Sequence, residues 1–314
     1  MIDWYESAVK YVKKTNMINQ IKPDYIYSCS MPNTCHLIGY SLSKKYNIPL
    51  FMDYGDPWVY ISGYSHSKLR FFIERKIEKT ILDRSSLVSF STLGCEELYK
   101  DRFNLPSQKT ITIMTGFDES LLIKGNANKK NKNEAIVMTY GGVLDGQVRN
   151  PIPFFKALND FNDENIIFNI RTDNVGYIHN LAHEYCDNKI HVDKYIPFKQ
   201  YYEEMLESDI LVFFGNSTKD QLPGKIFNFI TTGKLIFYIS NITDISQDQG
   251  IKIIENYGNA VIVHNTYDEI VRGLKKTLKM LSDNNQIDIN RILQYSTRAQ
   301  MQKLSAKIRE LSEK

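Results

Sequence analysis

Short apolar runs alternate with longer amphipathic stretches along most of this chain of 314 residues, and the alternation starts again near the middle. In the first half, strand-like runs are found at 25–28, 48–52, 87–90 and 110–114, and helical spacing is found at 1–22, 35–46 and 68–84. In the second half, strands are predicted at 135–140, 166–170, 189–192, 209–214, 235–239 and 260–263, and helices at 151–161, 177–185, 198–207, 224–233, 266–281 and 289–311. Strands that alternate with helices favour parallel sheets with crossover connections.

The two halves are separated by the segment GNANKKNKNE, which has almost no apolar residue and cannot bury itself. We therefore predict an α/β protein with two facing Rossmann-like domains. The N-terminal domain is placed at 1–123, a linker at 124–134 and the C-terminal domain at 135–288. The last segment, 289–314, is expected to be a helix that crosses back to the N-terminal domain. A chain of this length suits two domains.

Composition excludes several classes of function. The formal net charge of +3 is far from the basic excess of a nucleic-acid binder. No run approaches the ~18 apolar residues of a membrane span, and the first residues lack the continuous apolar core of a secretory signal. The four cysteines form no CxxC pair, and His179 and His183 are interpreted as helix surface rather than metal ligands. We expect a cytoplasmic protein without a bound metal that binds no nucleic acid.

One loop after a predicted strand has residues suited to a phosphate. Gly141 and Gly142 follow the strand at 135–140, and glycines let a phosphate approach backbone N–H groups. Arg149 comes a few residues later and can bind a phosphate through two parallel hydrogen bonds. A tight turn in an ordinary α/β protein is the alternative reason for the Gly-Gly pair.

A second loop runs from Asp220 to Asn228 and leads into the helix predicted at 224–233. Pro223 suits the first turn of a helix. After Gly224, Lys225 places a positive charge at the positive end of that helix, which is unfavourable unless an anion is bound there. The side-chain oxygens of Asp220 and Asn228 can accept hydrogen bonds from sugar and ribose hydroxyls. A solvated lysine on an amphipathic helix is the alternative interpretation.

A third candidate site follows the strand at 48–52. Asp53 and Asp56 lie three residues apart and are candidate general bases for a hydroxyl nucleophile. A turn that Asp53 caps and Asp56 begins explains the same residues equally well. His36, at a predicted helix start, either contacts a ligand or packs at a domain cleft.

Six segments occur in a characteristic order: PDYIYSCSMPNTCHLIGYSLSKKYNIPLFMDYGDPW, SLVSFSTLGCEELY, TGFD, TYGGVLDGQVRNP, HVDKYIPFKQYYEEMLESDILVFF and QLPGKIFNFITTGKLIFYI. Together they resemble the retaining, family-four type of bacterial GT-B glycosyltransferase, a group that builds O-antigen and capsule. The resemblance covers nearly the whole chain. It implies an enzyme that moves a sugar from a UDP- or GDP-linked donor to a lipid-linked or polysaccharide acceptor, with no cofactor and no metal.

The resemblance also implies roles for the candidate residues. The donor-binding residues it implies are Gly141, Gly142, Arg149, Pro223, Gly224, Lys225 and Asn228. As catalytic residues, Asp220 would contact the donor sugar, and Asp56 and Asp53 would face the acceptor and the anomeric centre. His36 and Trp58 are assigned to the acceptor side.

The chain departs from the family pattern in several places. The second residue of the family's acidic pair is here Asn228, the first is the short Asp220, and Gly55 replaces an arginine. The chain also begins at a segment that family members reach later, so we expect the N-terminal domain to be incomplete. A second chain that completes this domain is an expected partner. The alternative function is a non-catalytic GT-B-like binding protein, or one half of a two-chain transferase.

The segment KLRFFIERKIEK at 68–79 combines aromatic and basic side chains. It suits peripheral docking to an anionic membrane that holds a lipid-linked acceptor. A core helix with a solvated basic face is the alternative, because Glu74 and Glu78 dilute the positive charge.

Overall fold

The computed structural model describes residues 2–62, 67–122, 135–161, 165–186, 188–282 and 287–313. The linker predicted at 124–134 lies outside these residues. Backbone contacts divide the chain into two compact units: unit 1 contains Met1–Met114 and Gln300–Lys314, and unit 2 contains Thr115–Ala299. Residues 300–314 therefore group with the N-terminal half. Residues 115–122, which we had assigned to the first domain, group with the second half.

Unit 1 contains a parallel sheet of four strands in the spatial order β1-β2-β3-β4. The strands are β1 Ile26–Cys29, β2 Leu50–Tyr54, β3 Leu87–Phe90 and β4 Thr110–Thr112. Its first five helices are α1 Ile2–Lys14, α2 Met17–Ile21, α3 Thr34–Tyr46, α4 Lys68–Arg84 and α5 Leu93–Phe103. All four predicted strands of this half are confirmed within two residues of their expected bounds. The helix predicted at 1–22 is interrupted at Asn16, whose φ of 51° is left-handed.

Unit 2 contains six parallel strands in the order β10-β9-β8-β5-β6-β7, which confirms the six strands and the parallel sheet that were predicted for this half. The strands are β5 Ile136–Gly141, β6 Ile166–Arg171, β7 Ile190–Asp193, β8 Ile210–Phe214, β9 Leu235–Ser240 and β10 Ala260–His264. The helices are α6 Ile152–Asp160, α7 Val175–Tyr185, α8 Phe198–Glu207, α9 Lys225–Phe229, α10 Gln249–Tyr257, α11 Tyr267–Ser282 and α12 Ile289–Ile292, followed by α13 Thr297–Ser312, most of which groups with unit 1. Every residue of β8 and β9 is buried, as expected for strands covered on both faces. Within the described residues, no helix is both long and apolar enough to cross a bilayer.

The helix predicted at 224–233 is wrong in extent, because α9 has only five residues. Two threonines end it early. The hydroxyl of Thr231 donates to the carbonyl of Asn228, and that of Thr232 donates to the carbonyl of Phe229, each at 2.7 Å. Side chains that bond to nearby backbone carbonyls in this way compete with continued helix.

The helix predicted at 289–311 is also wrong, because it is broken between α12 and α13. The backbone N–H of Thr297 donates to the carbonyl of Phe117 at 2.8 Å, which takes the chain out of the helical path. The hydroxyl of Ser296 then accepts from the N–H of Ala299 at 3.1 Å and caps the start of α13.

The two faces of the unit 1 sheet are covered differently. On one face, Phe51, Leu87 and Ile113 pack against Leu304 of α13. On the other face, the side chains of β2 and β3 are buried under α3, α4 and α5. β1 is an edge strand, its Tyr27 is 47% exposed, and none of the described strands pairs with its outer edge.

A buried carboxyl group on α4 holds the loop that follows β2. Glu78 Oε1 accepts from the hydroxyl of Tyr99 at 2.6 Å, and that hydroxyl accepts from the backbone N–H of Trp58 at 2.8 Å. The other oxygen of Glu78 accepts from the N–H of Val59 at 3.4 Å. Burial is the largest influence on this carboxyl and raises its pKa from 4.5 to about 7.

Replacing Glu78 with glutamine tests this arrangement. The folded chain holds the Glu78 proton more tightly than the unfolded chain does. This stabilisation is therefore complete below pH 4.5 and is lost as the pH rises through about 7. The pKa difference corresponds to at most about 3 kcal/mol. We expect Glu78→Gln to flatten this decline in the free energy of unfolding, measured in urea by tryptophan fluorescence. Both tryptophans, Trp4 and Trp58, lie in unit 1.

The matched control is Glu97→Gln, at an exposed glutamate of the same unit. It should leave the pH dependence as in the unaltered protein. If Glu78→Gln shows the same decline with pH as the unaltered protein, the Glu78 carboxyl is not the group responsible.

Candidate functional site

The strand order of unit 2 reverses between β5 and β8. From β5 the sheet continues through β6 to β7 on one side, whereas β8 pairs with the other edge of β5. In open parallel sheets, ligands bind in the crevice at the carboxyl ends of two such strands. Gly141 is the last residue of β5, and residues 215–224 follow β8. Both loops that we predicted to bind a donor therefore begin at this crevice.

The ammonium of Lys225 lies against the turn that follows β5. Its Nζ donates to the carbonyl oxygen of Gly141 at 3.0 Å and lies 3.9 Å from the ring centre of Tyr140. Gly142 makes this approach possible, because a Cβ at that position would lie 2.3 Å from Lys225 Nζ. The glycine pair thus leaves room for a cation beside the turn.

Lys225 has no acidic partner among the described residues. Burial lowers its pKa well below the ordinary value, and the nearby positive charge of Arg149 lowers it further. Its one hydrogen bond to a carbonyl and its contact with the Tyr140 ring leave the positive charge uncompensated. Partial burial without a counter-charge disfavours the charged form of this lysine, and an anion bound beside it stabilises that form.

Arg149 is held at the same crevice by residues that the sequence did not single out. Its Nε and Nη2 donate to Oδ1 of Asn216 at 3.0 and 2.7 Å. Asp145 accepts from the backbone N–H of Arg149 at 3.2 Å and shapes the turn. The role of Asp145 in this turn could have been predicted from the sequence, because an aspartate just before a short polar loop is typical of a turn. Asn216 lies 67 positions from Arg149 and has no local signal.

A cavity of about 260 Å³ opens beside Lys225. Its wall combines two glycines, two cations, an asparagine, four aromatic rings and two aliphatic side chains: Gly141, Gly142, Arg171, Tyr195, Ile196, Phe198, Tyr201, Met205, Lys225, Asn228 and Phe229. The structure therefore brings four of the predicted donor-binding residues, Gly141, Gly142, Lys225 and Asn228, into one wall. Their role in binding a donor remains a prediction.

Two polar groups of this wall differ in their pairing. Arg171 is neutralised, because its Nε donates to Glu204 at 3.0 Å and its Nη1 lies 3.3 Å from Asp193. The hydroxyl of Tyr201 is buried and has no hydrogen-bond partner in the described part of the chain, and burial raises its pKa. A buried hydroxyl without a partner is costly unless a ligand supplies one. No sequence pattern marks Tyr201.

The rest of the predicted donor loop lies outside this wall. Asp220 is buried, with 8% of its surface exposed. Pro223 lines a separate small recess together with Asn216. Gly224 has a helical φ of −58°, which any residue can adopt. The predicted positive end of a long helix is wrong, because α9 is little more than one turn.

In unit 1, Asp53 is tied into a polar cluster on the sheet. Its carboxylate accepts from the hydroxyl of Ser89 at 2.5 Å and from the thiol of Cys29 at 3.3 Å. Burial, together with Asp53, raises the pKa of Tyr27 and raises that of Cys29 to about 11. A carboxylate that already accepts two hydrogen bonds is less available as a general base.

The other predicted acceptor-side residues separate into two groups. Asp56 and Trp58 lie partly exposed in the loop after β2. His36 is fully buried, with its Nδ1 2.9 Å from the hydroxyl of Ser28 and its ring 4.6 Å from that of Tyr54. Burial lowers the pKa of His36 to about 4. The neutral ring packs inside unit 1, as in the alternative that the sequence left open, and the assignment of His36 to the acceptor side stays a prediction.

Comparison with known proteins establishes the fold. No family model and no curated sequence matches this chain. Sucrose-phosphate synthase from Thermosynechococcus elongatus is 14% identical over 98% of this chain and 79% of that chain, with a TM-score of 0.68. Anabaena HepE, solved with UDP and with UDP-glucose, is 12% identical in the UDP complex, over 98% of this chain and 82% of that chain, with a TM-score of 0.70. The lipopolysaccharide outer core galactosyltransferase WaaB is 11% identical over 98% of this chain and 80% of that chain, with a TM-score of 0.67.

The chain therefore has the GT-B fold of these proteins, an α/β fold with two Rossmann-like domains. At these identities the likeness concerns the fold.

The uncompensated charge of Lys225 leads to a prediction about stability. We expect Lys225→Met to leave the stability of unit 2 unchanged or to raise it by up to about 1 kcal/mol, because it removes a desolvated charge while keeping most of the packing volume. Hydrogen exchange of β8, measured by mass spectrometry, reports the opening of unit 2 directly.

Lys252→Met, at an exposed lysine of α10, is the matched control and should have little effect. A fall of more than about 1 kcal/mol in Lys225→Met alone would mean that the ammonium stabilises the fold, as a structural lysine does.

Proposed function

We propose that this protein is a glycosyltransferase that takes a sugar from a UDP-linked donor. The observation that carries the proposal is the Lys225 ammonium, which lies half-buried at the switch point of unit 2 and has no acidic partner among the residues that the structure describes. A nucleoside diphosphate supplies the missing negative charge. UDP is chosen because HepE, which shares the fold, has been solved with UDP and with UDP-glucose. The aromatic wall of the cavity offers surfaces for a flat base.

In this reaction the bond between the anomeric carbon and the diphosphate oxygen breaks, and a bond to the acceptor hydroxyl forms. Negative charge grows on the departing diphosphate as the first bond breaks. In the proposed reaction Lys225, with Arg149 nearby, stabilises that charge more strongly in the transition state than in the bound donor. The hydroxyl of Tyr201 is available to donate to the same phosphate group.

The proposal includes retention of configuration. The acceptor attacks on the face that the diphosphate leaves, and its proton passes to the departing phosphate oxygen. No protein base is then required, which suits an Asp53 already engaged by Ser89 and Cys29. We assign Asp220 to the donor sugar, Asn228 to the ribose and Asp56 to the acceptor. The acceptor is a saccharide or a lipid-linked saccharide on the cytoplasmic side.

Calorimetric titration with UDP tests the donor site. We expect saturable binding that Lys225→Met weakens by about 30-fold or more, because it removes a desolvated charge that pairs with phosphate. Tyr201→Phe, which keeps the ring and its packing, should weaken binding about fivefold through the loss of one hydrogen bond.

Lys252→Met again serves as the control and should bind UDP as the unaltered protein does. If the folded protein does not bind UDP, or if Lys225→Met binds it equally well, the proposed donor site is wrong. If Lys225→Met weakens UDP binding but Tyr201→Phe does not, Lys225 contacts the donor and the hydroxyl of Tyr201 does not.

The proposal also excludes a required metal, because Lys225 and Arg149 supply the positive charge that a divalent cation supplies in other transferases. We expect release of UDP from UDP-glucose in the presence of acceptor to proceed at the same rate in EDTA and in magnesium. A rate that falls severalfold in EDTA and returns with magnesium would contradict metal independence.

A non-catalytic binding protein is the second candidate function. The observation that favours it is the edge strand β1, where Tyr27 and Cys29 are exposed. A further polypeptide strand could pair with that edge and make this chain one part of a larger assembly. Turnover by the isolated chain distinguishes the two candidates, because a binding protein does not release UDP from the donor.

A further inference from the structure

Helix α4 is apolar on two opposite faces. One face packs into unit 1 and buries Ile81 and Leu82, together with the carboxyl group of Glu78. The opposite face carries Leu69, Phe72 and Ile73, which are 71%, 66% and 49% exposed. Their spacing of three and four residues places them side by side on one surface of the helix.

This apolar surface is not needed to hold α4 in place, because the buried face already does so. An ordinary surface helix instead presents charged or polar residues to the solvent. The long helix α11 follows that rule, since the exposed residues in its middle are Arg272, Lys275 and Lys276. A cluster of large exposed apolar side chains marks an interaction surface.

The charges around the cluster indicate the kind of partner. Lys76 lies on the same face, four residues after Phe72, and Lys68 borders it in the first turn. Both lysines are exposed, and neither forms an ion pair with a carboxylate in the described ranges. By contrast, Arg70 is paired with Glu74 at 2.8 Å. The surface therefore combines apolar side chains with unpaired positive charge.

We propose that this face of α4 lies in the interface of an anionic membrane. Leu69, Phe72 and Ile73 enter the boundary between headgroups and acyl chains, and Lys68 and Lys76 contact lipid phosphates. Apolar insertion and basic side chains are the two contributions that together hold a helix at such a surface. The inference rests on the proposed function in one respect, namely that the membrane is where a lipid-linked acceptor is met.

Flotation of the full chain with vesicles tests the proposal without any donor present. The probe is a vesicle of phosphatidylcholine with a quarter phosphatidylglycerol, compared with phosphatidylcholine alone. We expect binding to the anionic vesicles that high salt weakens. Leu69→Gln with Phe72→Gln should lower it about tenfold or more by removing apolar insertion. Lys68→Gln with Lys76→Gln should lower it by about the same factor and remove the salt dependence.

The controls alter equivalent side chains elsewhere. Lys275→Gln with Lys276→Gln removes two exposed lysines from α11, and Met301→Gln removes an apolar side chain that is 47% exposed on α13. Both should bind vesicles like the unaltered protein. UDP titration in solution should be the same for every α4 variant. Loss of vesicle binding is thereby separated from failure of the donor site.

Two results would overturn the proposal. One is a vesicle assay in which the protein binds neither kind of vesicle or binds both equally well. Binding that Leu69→Gln with Phe72→Gln leaves unchanged counts as the same result. The other is a concentration-dependent dimer, seen by sedimentation, that Leu69→Gln with Phe72→Gln dissolves while vesicle binding is missing. In that case a second copy of the chain covers the face.

Discussion

The uncompensated ammonium of Lys225 is the interaction on which the architecture of the unit 2 site depends. It sits on the ring of Tyr140 and the carbonyl of Gly141, and it fits only because Gly142 has no side chain. The reversal of strand order between β5 and β8 brings these residues together from distant parts of the chain. A fold that retains a cation without a counter-charge among the described residues gives up stability, and an anionic ligand is the reason that we propose for it.

Most elements of the fold follow from the sequence, because strands buried on both faces are continuous apolar runs. Two helices, α5 and α10, were not predicted. The buried side of α5 includes Glu96, so the helix lacks a clear apolar stripe, although Thr92 caps it by accepting from the N–H of Cys95. For α10 the end signals were present, with Asp248 as the N-cap and Gly258 at a φ of 84° after the last turn. Local signals of this kind identify helices that periodicity alone misses.

The candidate site was predictable only in part. Gly141, Gly142 and Lys225 follow strand ends, and the carboxyl ends of neighbouring parallel strands meet at one edge, so their proximity could be expected. Asn216 pairs with Arg149 from a distant part of the chain, and the unpartnered hydroxyl of Tyr201 comes from helix α8, so no spacing in the sequence reveals either residue. The length of α9 was wrong because threonine hydroxyls compete for its carbonyls. His36 is buried, and the sequence left its role open because a histidine at a helix start can either contact a ligand or pack.

In unit 1, a buried ionisable residue of the kind often found in active sites has a structural role. Glu78, a buried carboxyl, supports the loop that carries Trp58 through the hydroxyl of Tyr99. The same helix presents exposed apolar side chains on its opposite face. Helix α4 therefore combines a buried polar anchor for a neighbouring loop with an outward surface that the packing of unit 1 does not require.

The most direct test of the central claim is a crystal structure of the protein with UDP. We predict that the diphosphate lies beside the turn at Gly141 and Gly142, with Lys225 Nζ within hydrogen-bond distance of a phosphate oxygen. The Tyr201 hydroxyl should then have a partner as well. UDP bound elsewhere, or bound while Lys225 Nζ remains only on the Gly141 carbonyl, would contradict the claim that this cation is kept for a nucleotide diphosphate.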